Sequence, residues 1–483
     1  MIKSNGGIIG PDNVTTGGAF GSASGVFKLG EVTNLIKDSK WPTAGPQGLQ
    51  VANSCRFDDG SSTQMNKTIS STSTTWTFSC WIKQNPTNTN KYLVSWDMGS
   101  GESLGIGIEK TSSSTQLFIY TSSTGQTPKL YDGVLRDSSA WMNIVIKNSS
   151  GTITSYINGT QAKTSITGTA LASGTLRIGC FTGSNFFYDG YMSEVVLIDG
   201  TAYSADSFGE FNSQTGIWVP KDVSGLTFGS DGFYLDFKDS SNLGNDANGG
   251  TDLTEVNLTS IDQSTATCTN NGCTIINASS ASKAYTLSEG NLKVTGSANN
   301  WYGVPRGNIG VSSGKWYFEV KVTDQNNNLI LGYMSASNLA DVGDRQVNGF
   351  EKVNGLQSSG YIKRQDSSEA NIGYTWSDGD IAQIALDMDN KKLWIGKNNG
   401  YYNSGNPSTG SNETIGSSYF TAGEAYLPII TFNGTNDVSF NFGSPPYAIS
   451  SGNADANGFG NFEYTVPTGY LSLNTINLAA VLA

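Results

Sequence analysis

Apolar and polar residues alternate with a period of two along most of this chain, the pattern of strands that bury one face. In WTFSCWIK, Phe78, Cys80 and Ile82 share one face, while Thr77, Ser79, Trp81 and Lys83 share the other. SLGIGIEK sets Leu104, Ile106 and Ile108 together, and TLRIGC and YMSEVVLIDG continue the series. WMNIVIKNSSGTITSYINGT predicts two antiparallel strands joined by a polar turn at Asn148 to Gly151, with a second tight turn at Asn158-Gly159. Asp199-Gly200 closes the run. So many short strands between turn signals predict a β-sandwich over residues 45–220.

A second series occupies residues 276–483 and predicts a second sandwich. KWYFEVKV places Trp316, Phe318, Val320 and Val322 on one face, and NLILGYMS, AYLPIITF and DVSFNFG follow the same rule. In DIAQIALDMDNKKLWIG, Ile384, Leu386 and Met388 face one way, and Asp389-Asn390 begins the reversal into Leu393, Trp394 and Ile395. Between the two series, residues 221–275 are rich in Asn, Asp, Ser, Thr and Gly and predict a polar linker, able to lie against both neighbours. Residues 1–44 hold a Gly-rich start with Ile8 and Ile9, then Phe27 and a run in which Leu29, Val32, Leu35 and Ile36 follow helical spacing until Trp41-Pro42. A helix this short is marginal alone in water, so its apolar stripe is expected to pack on the first domain or, in preference, to anchor on another chain. The fold class expected is all-β, two antiparallel jelly-roll sandwiches with a short N-terminal helical anchor. No repeat of 20 to 50 residues is present, which excludes solenoids and propellers.

Composition narrows the chemistry. The 483 residues carry 28 Lys plus Arg against 40 Asp plus Glu, a net charge of −12, and no histidine. Histidine-based triads and HExxH zinc sites are therefore excluded, and the scarcity of cations argues against nucleic acid as a partner. Charged residues make up 14%, against roughly 25% in a typical soluble domain, so neutral polar side chains carry the surface. The N-terminus has no pattern of an export signal, and no apolar run reaches the roughly 18 residues that cross a bilayer, so a soluble chain without membrane insertion is expected. Of the five cysteines, Cys80 and Cys180 fall at inward strand positions and are expected as buried thiols. Cys268 and Cys273 flank an Asn-Gly turn, which leaves both free thiols and a local disulfide open.

Specific motifs add a resemblance. The W-x-F-x-x-W-I-K strand from Trp76, the W-x-x-I-V-I-K strand from Trp141, S-Y-I-N-G from Ser155 and D-G-Y-M-S-E-V from Asp189 resemble the laminin-G/pentraxin branch of the concanavalin A-like jelly rolls. G-K-W-Y-F-E-V from Gly314, L-G-Y from Leu331, the G-D-x-x-x-x-A-L-D-x-D-N-x-x-L-W run from Gly379 and V-S-F-N-F-G from Val438 are similar to SPRY domains. The opening G-G-I-I-G-P, the internal S-N-L-G-N-D and the closing F-E-Y-x-V-P-x-G-Y-L-S-L-N-T resemble structural proteins of tailed bacteriophages, marine ones in particular. That resemblance implies a virion component on the capsid or tail surface, assembled in the host cytoplasm. Its N-terminal segment, with Ile8, Ile9, Phe27, Leu29, Val32, Leu35 and Ile36, would contact other virion proteins. It implies a homo-oligomer too, although no heptad run demands one. Its partners would be glycan or protein receptors of the host surface.

The residues themselves favour binding over catalysis. Retaining glycosidases need two carboxylates about 5 Å apart on one face. The nearest pair here, Glu194 and Asp199, is five residues apart on a period-two strand and points to opposite faces. No enzyme is expected, although a polysaccharide depolymerase and a purely structural role stand as alternatives. Glycan binding uses aromatic rings beside amide and carboxylate groups. Trp301, Tyr302, Arg306, Asp344, Arg345, Tyr361 and Arg364 occupy the SPRY-like half where that family's ligand loops fall, and Phe181, Asn185 and Tyr188 lie in an aromatic loop of the first sandwich. No cofactor is expected. Calcium in the first sandwich is the one exception, through Asp97, Glu102 and Asp132, whose spacing matches no metal pattern and favours hydrated loop acids. Gly105 and Gly107 form a G-x-G without the helix of a phosphate loop.

Overall fold

The computed structural model describes residues 49–85, 89–98, 102–110, 115–122, 127–135, 137–182, 185–212, 215–276, 285–296, 304–326, 328–338 and 352–482, with the backbone of residues 8–9 and 26–27. Strands β1 (Ile8–Ile9) and β2 (Val26–Phe27) pair antiparallel, Ile8 with Phe27 and Ile9 with Val26. The helix expected through Leu29, Val32, Leu35 and Ile36 lies outside the described residues.

Two antiparallel sheets build the first sandwich. One runs β11 (Thr160–Thr167), β10 (Thr152–Ile157), β9 (Met142–Ser149), β5 (Trp76–Gln84), β13 (Gly190–Asp199), β3 (Ser54–Phe57) and β18 (Gln263–Ser264), with β16 (Phe233–Leu235) also paired to β13. The other runs β17 (Thr254–Val256), β4 (Gln64–Ile69), β12 (Gly174–Ile178), β6 (Lys91–Met98), β7 (Glu102–Lys110) and β8 (Thr115–Thr121). Phe78, Cys80, Ile82, Leu104, Ile106, Ile108, Leu176 and Ile178 meet in one buried core, as the alternation predicts. Ser150-Gly151 and Asn158-Gly159 have positive φ at both residues (48° and 88°, 46° and 73°), the geometry that two-residue hairpins require.

The second sandwich packs a sheet ordered β19 (Ile275–Ile276), β22 (Arg306–Gly307), β31 (Tyr426–Phe432), β24 (Leu329–Ser335), β25 (Val353–Gln357), β26 (Tyr361–Lys363) and β27 (Glu369–Asn371). Facing it is a sheet ordered β20 (Tyr285–Ser288), β21 (Lys293–Gly296), β32 (Asn436–Asn441), β23 (Lys315–Gln325), β28 (Ile381–Asp387), β29 (Lys392–Lys397) and β30 (Gly400–Tyr401), with β33 (Leu471–Ser472) parallel to β23. Trp316, Phe318, Val320, Val322, Ile384, Leu386, Leu393 and Ile395 form its core. A terminal helix, α1 (Thr475–Leu482), closes the described chain.

The expected linker is corrected. Residues 221–275 contribute β16, β17 and β18 to the first sandwich and β19 to the second, and bury Phe228, Phe233, Leu235, Phe237, Leu243, Leu253 and Leu258. Their apolar residues are sparse but fall where the chain crosses the sandwich edges, while Asx hydrogen bonds such as Asp246 Oδ1 to the amides of Tyr234 and Asn248 satisfy the turns between. All five cysteines are free thiols, with Cys80 and Cys180 buried and Cys268 and Cys273 unpaired.

One outer face of each sandwich is covered as well. Trp81, Val145, Val196 and Ile198 lie under Ala205, Phe208, Trp218, Val223 and Phe228, a cover that includes the hairpin β14 (Gly209–Phe211) and β15 (Trp218–Pro220). Tyr317, Ala385 and Trp394 lie under Phe462, Val466 and Tyr470. Glu319 fastens that second cover: its buried carboxylate accepts the amides of Glu463 (2.9 Å) and Tyr464 (2.8 Å), the Tyr317 hydroxyl (2.9 Å) and Asn441 Nδ2 (3.2 Å).

The sandwiches meet through polar side chains. Arg56, whose side chain is 1% exposed, reaches Glu289 Oε2 at 3.2 Å and Asp262 Oδ1 at 3.4 Å and donates to the Ile261 carbonyl. Lys83 donates to Asn271 Oδ1 (2.8 Å) and the Gly272 carbonyl (3.2 Å), and the Tyr191 hydroxyl donates to the Gly290 carbonyl (3.0 Å). Removing one partner of such a buried set leaves the others desolvated without their counter-charge, at a cost of about 3–5 kcal/mol. Arg56→Ala is therefore expected to lower the unfolding free energy by about 3 kcal/mol and to split the calorimetric transition in two. A single unshifted transition would show that the two bodies melt independently of this bridge.

Candidate functional site

Cross-strand registers place one row of side chains on the outward face of the six-stranded sheet. Thr254 pairs with Asn66, Asn66 with Arg177, Arg177 with Ser95, Ser95 with Gly105 and Gly105 with Tyr120. Their neighbours Met65, Leu176, Ile178, Val94, Trp96, Leu104, Ile106 and Ile119 point inward to the core, so the period-two rule sends this row outward. Thr68, Thr175, Asp97 and Ser103 form a second row beside it.

The glycines make room for aromatic rings. A Cβ at Gly105 would lie 2.5 Å from Tyr92 Cε1 and 3.1 Å from Phe181 Cδ2, so only glycine lets these rings rest on the sheet. Phe118 packs over Gly107 in the same way. Tyr92 stands 4.4 Å from Phe181 and 6.1 Å from Phe186 between ring centroids, and Tyr120 meets Phe181 edge-on at 5.4 Å. The Phe181–Asn185 bridge and the Tyr92 amide bonded to the Phe186 carbonyl (3.2 Å) hold the loop over the sheet. Phe186 remains 49% exposed at the top of this shelf. Beside the rings, Arg177 stands 3.8 Å from Asp97, and Asn66 Oδ1 has no hydrogen-bond donor among the described residues. The face thus offers ring surfaces for stacking next to amide, guanidinium and hydroxyl groups for hydrogen bonds.

The expected site residues divide. Phe181 and Asn185 belong to this shelf. Tyr188 is corrected to a core residue: it is 1% exposed, with its hydroxyl turned to the Lys83 carbonyl at 3.3 Å. In the second sandwich, Arg306 starts β22 and Tyr361 starts β26, with β31, β24 and β25 between them, so the two are not brought together. Tyr361 carries the Lys363 ammonium 5.2 Å from its ring, and Arg364 stacks on Tyr419 at 5.0 Å. Trp301, Tyr302, Asp344 and Arg345 lie outside the described residues. Tyr92, Tyr120, Asn66 and Arg177 were not anticipated, although the i, i+2 glycines at 105 and 107 and the i, i+2 aromatics at 118 and 120 mark an outward aromatic face.

The acidic groups are separated. Glu194 sits at a β-bulge with φ 51° and accepts the Tyr234 hydroxyl at 2.6 Å, and burial pushes its carboxyl up to about 7. Asp199 instead accepts Ser71 Oγ (2.9 Å) and Ser230 Oγ (3.1 Å). Asp97 faces Arg177 and Asp132 faces Lys163, so neither joins Glu102 in a calcium cage. Asp58, Asp59 and Asp189 do converge, with carboxylate oxygens within 4.8 Å of one another. Three hard oxygen donors suit calcium, and these residues would hold such an ion by electrostatic neutralisation. In the protein alone, Lys91 pairs with Asp59, and Asn85 donates to Asp189 at 2.5 Å. Burial, then the charges of Asp59 and Asp58, push Asp189 up to about 8 against the opposing effects of Asn85 and Lys91.

Among family models, the concanavalin A-like lectin/glucanases superfamily model Laminin_G_3 matches residues 57–206, the stretch that holds this face apart from Thr254. None of the curated proteins matches the chain. Among solved structures, the chain is similar to the SPRY domain of human HERC1, at 14% identity over 33% of this chain and 92% of that one, with a TM-score of 0.25. It is similar to the heptameric SAP-like pentraxin of Limulus polyphemus, at 17% identity over 39% and 89%, with a TM-score of 0.27. Domain 4 of AbnA, a GH43 extracellular arabinanase from Geobacillus stearothermophilus solved with arabinotriose, matches at 16% identity over 28% of this chain and 64% of that one, with a TM-score of 0.24.

A carboxyl whose folded value is raised favours the fold fully below its ordinary range, and that contribution is lost as pH rises through the raised value. For Asp189 the window runs from the ordinary carboxylate range to about 8. Melting temperature should fall across that window, and Asp189→Asn should flatten the slope. Thermal melts between pH 4 and 9, with EDTA and with millimolar calcium, check this. Calcium held by the three carboxylates would flatten the wild-type slope alone.

Proposed function

We propose that this protein is a non-enzymatic adhesion module of a tailed-phage particle, and that the outward face of the six-stranded sheet binds host-surface glycans. The supporting observation is the half-exposed aromatic shelf of Phe186, Phe181 and Tyr120 set beside the Asn66–Arg177 row. Sugar rings present apolar C–H faces to aromatic side chains and hydroxyls to amides and guanidinium groups, so this pairing of surfaces suits a pyranose chain. The match of residues 57–206 to a lectin and glucanase superfamily supports the same reading. Glu194 and Asp199, each committed to different hydroxyls, support binding without cleavage.

The particle setting rests on the phage-like flanking motifs. The N-terminal segment would join the particle, and the two sandwiches, bridged through Arg56 and Lys83, would project from it as one unit.

Two outcomes are expected. On a glycan array, Phe186→Ala combined with Tyr120→Ala should weaken retention at least tenfold while leaving the melting temperature within two degrees of wild type. Unchanged retention would remove the shelf from the site. Deleting residues 1–44 should abolish incorporation into particles, read by mass spectrometry of purified virions, and incorporation at wild-type level would overturn the anchor.

A further inference from the structure

A second feature opens on the same face, at its other end. The segment that follows the first jelly roll folds back along β4 and β12 and leaves a polar cleft of about 460 Å³, within the roughly 300–1,000 Å³ typical of ligand pockets. Asn66, Thr68 and Thr175 form its floor, Thr254 stands at one side, and Asp231 and Asp252 come from the overlying segment. Among the described residues no aromatic or aliphatic residue lines it, and its apolar surface comes from the threonine methyls and the Lys67 stem. Asn66 belongs both to this cleft and to the row that leads to the shelf, so the two features are continuous.

The walls are held in place from behind. Asp231 accepts the amides of Ser70 (3.1 Å) and Ser71 (2.7 Å) and Ser70 Oγ (3.0 Å). Asp252 accepts the Asp246 amide (3.0 Å) and Asn242 Nδ2 (2.8 Å). For Asp231, burial works upward but the Ser71 and Ser70 donors outweigh it and hold the carboxyl below its usual range. For Asp252, the Asp246 amide and then Asn242 do the same. Both carboxylates are ionised at neutral pH. Among the described residues of the lining the one cation is Lys67, which donates its ammonium to the Thr251 carbonyl. The cleft is therefore rich in hydrogen-bonding groups and carries a local negative charge, which repels anions. The wall is also closely packed from behind, since a side chain at Gly250 would collide with the buried Asp246 carboxylate.

We infer that this cleft is a distal subsite for an uncharged or amino-bearing oligosaccharide, the far end of a chain whose near end stacks on Phe186 and Tyr120. The inference rests on the glycan-binding reading of the sheet face. Tyr120 on β8 and Asn66 on β4 are four strand spacings apart, about 19 Å at ~4.8 Å per spacing. A single sugar cannot touch both ends, so affinity should grow with chain length, and uronic acids should be discriminated against at the cleft end.

The test uses the full-length protein and four oligosaccharide ladders of one to six units: mannose, N-acetylglucosamine, glucosamine and guluronate. Binding is read by calorimetry. The exposed outward positions Thr68 and Thr254 are filled in two separate variants, Thr68→Trp and Thr254→Trp, with melting temperature as the check of folding. We expect a neutral or amino ladder to gain at least tenfold in affinity from two to six units in the wild type, and both variants to cancel that gain. Affinity that is independent of length, a gain that survives both variants, or a guluronate ladder that gains most would overturn the subsite. If no ladder binds the wild type, the glycan-binding reading itself falls. If binding is lost on Phe186→Ala but shows no length dependence, only the subsite falls.

Discussion

A β-sheet has two faces, and a strand that commits one face to a sandwich core leaves the other to be accounted for. In this chain that requirement organises nearly everything outside the two cores. The larger sheet of the first sandwich is roofed by residues 203–212 and 215–228, and the corresponding sheet of the second by residues around Phe462 and Tyr470. On the facing sheet of the second sandwich, Val304, Ile330, Met334, Val353 and Ile429 form a further apolar cluster. Among the described residues, no comparable apolar cluster covers the outward face of the six-stranded sheet. There the chain places glycines, aromatic rings and a line of polar groups instead, and this difference in cover singles the face out.

The covers are fastened by polar anchors because each is a segment with little regular structure of its own. Glu319 shows the logic. A buried carboxylate would be costly alone, but it accepts two backbone amides from the segment it must retain and two side-chain donors from its own sheet. Arg56 performs the reciprocal task between the sandwiches, where a buried cation gathers an acidic residue from each of two neighbouring stretches. Such contacts specify position more sharply than apolar packing, which is indifferent to small displacements.

Much of this was legible in the sequence. The alternation in WTFSCWIK and KWYFEVKV identified both cores residue by residue, and the Asn-Gly and Ser-Gly pairs located the hairpins, because strand periodicity and turn stereochemistry are local properties. The role of residues 221–275 was not legible. Their strands are two or three residues long, and their few apolar residues matter only because of the sandwich edge they meet, which is a tertiary fact. Tyr188 failed for the converse reason: as part of an aromatic run it resembled its exposed neighbour Phe186, and only the turn geometry sends it inward. The G-x-G at Gly105 was read against phosphate loops, whereas on a strand the same spacing clears one face for rings.

The stitching of β18 onto β3 has a consequence for how the molecule comes into being. Ser54 Oγ donates to the Ala266 carbonyl across 212 residues of chain, so the first strand of the sandwich emerges from the ribosome long before its edge partner exists. Contacts of such separation slow folding and leave open edges during synthesis. The nascent jelly roll must wait with the outer edge of β3 unpaired, and that edge is only four residues long, Ser54 to Phe57, which limits the backbone it presents to neighbouring unfinished chains.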